Sequence, residues 1–274
     1  MVVAEKGARL YIPKPIMYNS NQPRPQRKEG FFMIKHLFFD LDGTLLPIDL
    51  DFFFQDYLVT LSARFATAIE PKVFQDKLLA STMVMIKSND PNLTNEEVFW
   101  QDFPARIGMT RAVLEPIFRD FYAHEYRTLG NNLPPAGPVR TLLASALEQG
   151  FSVTIATNPV FPRDAIIERL SWINCHDLPY LLVTSMEKMH FCKPNPNYYR
   201  EILDLLKVKP EECMMIGNDV EEDMVAAELG MKTCLVTDRL ISRGKTKLTP
   251  DYTCRLAELP QVLMALKELP SSKN

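Results

Sequence analysis

IKHLFFDLDGTL, residues 34–45, is the stretch on which the reading of the whole 274-residue chain turns. Its first half, Ile34 to Phe39, is a short and mostly apolar run that breaks off at Asp40-Leu41-Asp42-Gly43. That is the pattern of a strand buried on both faces of a sheet and opening into a polar loop. No comparable strand follows between Asp51 and about Tyr126. Phe53, Tyr57, Leu61 and Phe65 recur there at helical spacing, and Pro71 suits the first turn of a second helix. Thr94 with Glu97 forms a capping box ahead of a third helix, and RAVLEPIFRDFYAHEY (111–126) makes a fourth.

Beyond Leu133-Pro134-Pro135-Ala136-Gly137 the pattern changes. VRTLLASALEQ is an amphipathic helix with Val139, Leu142, Leu143, Ala146 and Leu147 on one face, stopped by Gly150 and followed by the strand FSVTIAT. ERLSW, YLLVTS, YYREILDLLK, ECMMIGND, MVAAELG and KTCLVT continue the alternation of helix and strand. Such alternation predicts an α/β fold, a doubly wound parallel sheet with helices on both faces, interrupted after its first strand by an all-helical insertion. The expected division is a core of 34–46 and 136–274 with the helical unit over 47–135.

Composition narrows the class. Hydrophobic residues are 46% and charged residues 24%, so the body is expected to fold around a core, and no uncharged apolar stretch is long enough for a membrane span. The net charge is −3, too balanced to signal a nucleic-acid partner. Residues 1–33 differ from the rest: they hold Pro13, Pro15, Pro23 and Pro25 among polar and basic neighbours, a composition expected to be disordered. Met33 stands directly before the first strand, and the residues ahead of it are expected to be dispensable. Five widely spaced cysteines with no C-x-x-C pair predict reduced thiols and a cytoplasmic protein.

Ligands of open α/β sheets sit beyond the carboxyl ends of the strands. The polar residues at those ends form a coherent set: Asp40 and Asp42 after the first strand, Thr157 and Asn158 after SVTIA, Asn218, Asp219 and Asp223 after ECMMIG, and Lys193 in the loop after YLLVTS. Carboxylates gathered there require a cation, and hard oxygen donors with few protein contacts favour Mg²⁺. Asp40 then becomes able to attack phosphorus as a nucleophile, with Lys193, Thr157 and Asn158 on the substrate's phosphoryl oxygens. Asp42 is suited to protonate the leaving oxygen and afterwards to activate water.

DLDGTL at 40–45, IATN at 155–158, KPNPNYY at 193–199 and IGNDVEEDMVAAELGM at 216–231 resemble, in order, the four motifs of the haloacid dehalogenase superfamily of phosphohydrolases. The resemblance covers nearly everything after Met33. It implies a Rossmann-like core, an aspartyl-phosphate intermediate on Asp40, Mg²⁺ dependence, and metal ligation by the Asp40 carboxylate and the backbone carbonyl of Asp42. It also implies that the helical insertion is a cap closing over the substrate. The fourth motif departs from its commonest form because Asn218 stands between Gly217 and Asp219. Either residue could hold the metal place; Asp219 is favoured because a carboxylate binds Mg²⁺ better than an amide, with Asn218 and Asp223 in support.

Plainer explanations compete for some of these residues. DLDGT as a calcium loop fails, since Leu45 occupies the position an EF-hand gives to glycine. The four histidines have no metal-ligand spacing, Phe52, Phe53, Phe54 and Tyr57 fit ordinary helix packing, and Glu221, Glu222 and Asp223 fit a helix N-terminus. The function expected is hydrolysis of a small phosphorylated substrate. A phosphomutase on the same scaffold and a non-catalytic binding protein keeping the fold are the alternatives.

Overall fold

The computed structural model describes residues 33–131, 133, 135 and 137–268. The N-terminal extension expected to be disordered lies, but for Met33, outside the described residues.

Strand β1 is His36–Phe39, and the chain then enters five helices before returning to the sheet: α1 (Leu50–Ala63), α2 (Pro71–Lys87), α3 (Asn95–Ile107), α4 (Arg111–Ala123) and the one-turn α5 (Glu125–Thr128). Helix α6 (Val139–Glu148) leads to β2 (Ser152–Ile155), then come α7 (Arg163–Trp172), β3 (Leu182–Val183), α8 (Pro196–Leu206), β4 (Cys213–Gly217), β5 (Lys232–Val236), β6 (Tyr252–Cys254) and α9 (Leu259–Glu268). All strands pair in parallel in the order β3-β2-β1-β4-β5-β6. The chain thus crosses from one side of β1 to the other between β3 and β4, and the reversal of strand order places a crevice at the carboxyl ends of β1, β2 and β4.

Alternation along β1 shows why Leu37, Phe38 and Phe39 are all apolar. Leu37 and Phe39 face the cluster containing Val153, Ile155, Met214 and Ile216, whereas Phe38 faces the opposite cluster with Tyr198, Tyr199, Cys213 and Met215. Each face is covered, so neither can be polar. The first of these clusters extends without a break into the helical insertion, taking in Phe53, Tyr57, Phe74, Phe103, Phe118 and Tyr126. Phe161, in the loop after β2, has its ring 5.2 Å from that of Tyr57 and 6.3 Å from that of Tyr126.

Local sequence signals account for most boundaries. Pro71 is the first residue of α2, the Thr94–Glu97 capping box opens α3, and Gly150 ends the α6 segment with φ +85°. Three expectations change. RAVLEPIFRDFYAHEY breaks at His124 (φ −123°, ψ −78°), and the break turns Tyr126 inward to stack on Trp172 at 5.6 Å. YLLVTS shrinks to a two-residue edge strand, because β3 has a partner on only one side. MVAAELG forms 3₁₀ turns over Met224–Leu229, where Met224, Val225 and Ala226 are buried consecutively and present no helical stripe. Strand β6 and helix α9 had no counterpart among the expected elements. Among the described residues no helix is long and apolar enough to cross a membrane.

Candidate active site

Pairing with its neighbours fixes the end of β1. Asp40 N–H donates to the Ile216 carbonyl at 2.9 Å, and Ala156 N–H donates to the Phe39 carbonyl at 2.7 Å. Residues 40, 157 and 218 therefore emerge side by side from three adjacent strands. Gly43, with φ +83°, turns the loop back, and a Cβ there would lie 2.6 Å from Asn218 Nδ2. Glycine is thus required both by the backbone and by the close approach of the fourth-motif loop.

Asp40, Thr157, Lys193, Asn218, Asp219 and Asp223 are all buried, and Lys193 links the set. Its ammonium donates to Asp40 Oδ1 at 2.9 Å and to Asp223 Oδ1 at 2.7 Å. Burial alone would lower the lysine pKa, but the charges of Asp223 and then Asp40 outweigh it and hold the group protonated well above its ordinary range. Asp223 in turn accepts from Asp219 N–H at 2.9 Å and fills the space beside Gly217, where a Cβ would come within 2.0 Å of its Oδ2. Asn158 accepts from Lys193 N–H at 3.2 Å and donates to Glu222 Oε2 at 3.2 Å, so it ties the second-motif loop to the other two. The Thr157 carbonyl receives the hydroxyls of Thr184 (2.7 Å) and Tyr198 (2.8 Å).

Thr44, the last residue of the DLDGT motif and given no role from sequence, joins the site. Its hydroxyl stands 3.0 Å from Asp40 Oδ2 and 2.9 Å from Asn218 Oδ1. One hydroxyl proton cannot serve two acceptors, so one of these oxygens always has unused capacity. Asn218 Nδ2 donates to the Arg239 carbonyl at 2.5 Å, which fixes its oxygen toward Thr44. Asp40 and Asn218 thus offer hard oxygen donors suited to a divalent cation that keeps several waters. Among the described residues no three His, Cys, Asp or Glu side chains are grouped to hold a metal.

Asp219, the residue favoured for the metal place, is engaged by an arginine. Both its oxygens accept from Arg243 Nη1, at 2.9 and 2.7 Å, and its Oδ1 also accepts from Glu221 and Glu222 N–H at 3.0 and 2.9 Å. The carboxylate therefore caps the turn that follows it, a role that sequence assigned to the acids 221–223. Asn218 is linked to Asp40 through the Thr44 hydroxyl. Glu222 is partly buried, and that burial pushes its carboxyl up to about 7.

Asp42 contacts a different cation. Its Oδ2 accepts a very short hydrogen bond from Nη1 of Arg169, a residue of α7 whose side chain is 1% exposed. Burial raises the Asp42 carboxyl to about 6, against the opposing pull of Arg169. Asn95, at the start of α3, is also buried, and its amide donates to the carbonyls of Pro159 (3.3 Å) and Phe191 (3.5 Å). It thereby bridges the insertion to the loops carrying Asn158 and Lys193.

A haloacid dehalogenase-like hydrolase family model matches residues 34–230. Among curated proteins the chain is similar to pyrophosphatase PpaX of Halalkalibacterium halodurans, 22% identical over 84% of this chain and 95% of that one. Among solved structures it is similar to a HAD phosphatase from Thermococcus onnurineus (TM-score 0.54, 18% identity, 84% of this chain and 98% of that one). A predicted phosphoglycolate phosphatase from Haemophilus somnus is comparable (TM-score 0.52, 16% identity, 85% and 99%). The strand order, the ordered motifs at the ends of β1, β2 and β4, and a family match over most of the described residues agree: the chain belongs to the haloacid dehalogenase-like hydrolases.

Proposed function

We propose that the protein is a Mg²⁺-dependent phosphatase that hydrolyses a small phosphomonoester through an aspartyl-phosphate on Asp40. The observation that carries this reading is the buried Lys193 ammonium, 2.9 Å from Asp40 and 2.7 Å from Asp223. A carboxylate so compensated can receive an anionic phosphoryl group, and the same ammonium is available to the transferring oxygens. The resemblance to a pyrophosphatase supports phosphoryl hydrolysis on a small phosphorylated substrate.

In the first step an Asp40 oxygen bonds to phosphorus while the bond from phosphorus to the ester oxygen breaks. The departing oxygen keeps the electron pair and takes a proton from Asp42. In the second step water bonds to phosphorus and gives a proton to Asp42, and the Asp40–phosphorus bond breaks to restore the carboxylate. Thr157 and Asn158 line the approach from β2. Asp40 and Asn218, with the Asp42 carbonyl, would hold the metal. When bound, the metal supplies positive charge that offsets the substrate oxygens and the carboxylates. Asp219 would enter that set only on giving up Arg243. Helices α1–α5, spanning the proposed cap over 47–135, would cover the substrate through Phe161 and the α3 N-terminus.

Free-phosphate release from a panel of phosphomonoesters and pyrophosphate, with and without Mg²⁺, tests the reading. Turnover is expected to require Mg²⁺ and to vanish in Asp40→Asn. An isomerised sugar phosphate formed without free phosphate would instead favour a mutase, and no reaction across the panel would favour a binding protein.

A further inference from the structure

We infer that Arg169 is a positioning residue for the acid/base step, holding Asp42 apart from the Asp40–Lys193 pair by a one-point grip that leaves Asp42 Oδ1 free. The inference rests on the assignment of Asp42 as general acid/base.

Asp40 and Asp42 lie on one tight loop, and a buried carboxylate without a counter-charge is driven toward whatever cation is near. Among the described residues Lys193 is the cation that contacts Asp40, at 2.9 Å, and it is already shared with Asp223. Arg169 supplies a second cation from a different element, α7, and its contact with Asp42 divides the two aspartates between two charges. Nucleophile and acid need that division, because they must meet opposite sides of the same phosphorus.

The manner of the grip is informative. An arginine fork normally engages both oxygens of a carboxylate. Here Nη1 alone meets Asp42 Oδ2, while Arg169 Nη2 and Asp42 Oδ1 are buried with no hydrogen-bond partner. Arg169 is fixed from elsewhere: Nε donates to the Ala165 carbonyl at 3.4 Å, and the guanidinium lies 4.4 Å from the Phe161 ring centre and 5.8 Å from that of Phe53. The cation is therefore the fixed partner and the carboxylate the movable one. Asp42 can pivot about Oδ2 and bring Oδ1 to the leaving oxygen without losing its counter-charge. Phe53 and Phe161 come from the insertion and from the β2 loop, so the seating of α1 on the core sets where the pivot stands.

The discriminating readout is leaving-group dependence. An activated ester expels its oxygen without help, whereas a basic leaving group needs the proton. Values of kcat/KM with Mg²⁺ are to be measured on phenyl, 4-nitrophenyl and 2,4-dinitrophenyl phosphate for the wild type, Asp42→Asn, Arg169→Met and Arg169→Lys. In both Asp42→Asn and Arg169→Met the loss is expected to be roughly 100-fold on phenyl phosphate and within about twofold on the dinitrophenyl ester. The double variant is expected to lose little beyond Asp42→Asn, because the two residues act as one unit. Arg169→Lys, which keeps a cation, is expected to recover most of the phenyl phosphate rate; it also carries the test if the methionine variant does not fold. An equal loss on all three esters at position 169, with Asp42→Asn selective, overturns the positioning role and leaves Asp42 as the acid. Equal losses in Asp42→Asn itself overturn the acid assignment and the inference with it.

Discussion

Two buried cations flank the loop after β1, and they are held in opposite ways. Lys193 sits between two carboxylates, Asp40 and Asp223, and the Asp223 oxygen that does not meet it accepts from a backbone N–H. Arg169 meets one carboxylate through one nitrogen, lies against aromatic rings, and leaves an oxygen and a nitrogen without partners. The first arrangement fixes the ammonium between two carboxylates. The second retains unused hydrogen-bonding capacity inside the protein, which is costly unless it is used in turnover. Two unlike cations, far apart in sequence, thus divide the two aspartates of the DLDGT loop, and on the proposed mechanism the one on Lys193 is the fixed nucleophile and the one on Arg169 the movable acid.

The largest effect is expected on the Lys193 side. Asp40→Asn should reduce phosphate release by roughly 10⁴-fold or more in a single-turnover assay, while near-native circular dichroism reports an intact fold. Lys193→Met would leave Asp40 and Asp223 buried together without a counter-charge. It should cost about 3–5 kcal/mol in denaturant unfolding as well as most of the activity. Arg169→Met strands only one carboxylate, 14% exposed at its side chain, and the same measurement is expected to show a smaller loss. An equal or larger loss at Arg169 would break the contrast between the two cations.

Smaller changes sharpen it. Gly217→Ala drives a methyl into Asp223, whose Oδ2 would lie 2.0 Å from the new carbon. Displaced packing of this kind costs about 1–3 kcal/mol, and kcat should fall because Lys193 loses one of its two anchors; thermal unfolding and steady-state kinetics check both. Asn95→Ala removes two long hydrogen bonds, at 3.3 and 3.5 Å, between α3 and the substrate-side loops. About 1 kcal/mol of stability is expected to be lost there, with a rise in KM and little change in kcat.

Much of the fold was legible because it is written in short windows. The apolar run of β1, the Thr94 capping box and the stop at Gly150 each act through neighbours in sequence. The places of Asp40, Thr157, Lys193 and Asn218 followed from one topological rule, that polar residues after parallel strands converge. What stayed hidden depends on contacts across the chain. Arg169 sits in a helix whose ordinary spacing says nothing of its contact with Asp42, 127 residues earlier. Arg243 reaches Asp219 from a loop that has no secondary structure of its own to announce it. Spacing alone counts both Asn218 and Asp219 for the metal place, and it could not show that Asp219 meets an arginine 24 residues further on. Strand β6 is three residues long, with only Cys254 buried, too brief for a period to show.

The central claim, that Asp40 takes the phosphoryl group, is tested most directly by acid-quenching the enzyme in mid-turnover with a phosphorylated substrate and Mg²⁺ and mapping its peptides by mass spectrometry. The expected result is a phosphoryl group on Asp40 in the wild type, and none in Asp40→Asn. Steady turnover with no phosphorylated protein in rapid-quench samples, or a phosphoryl group found on another side chain, would contradict it.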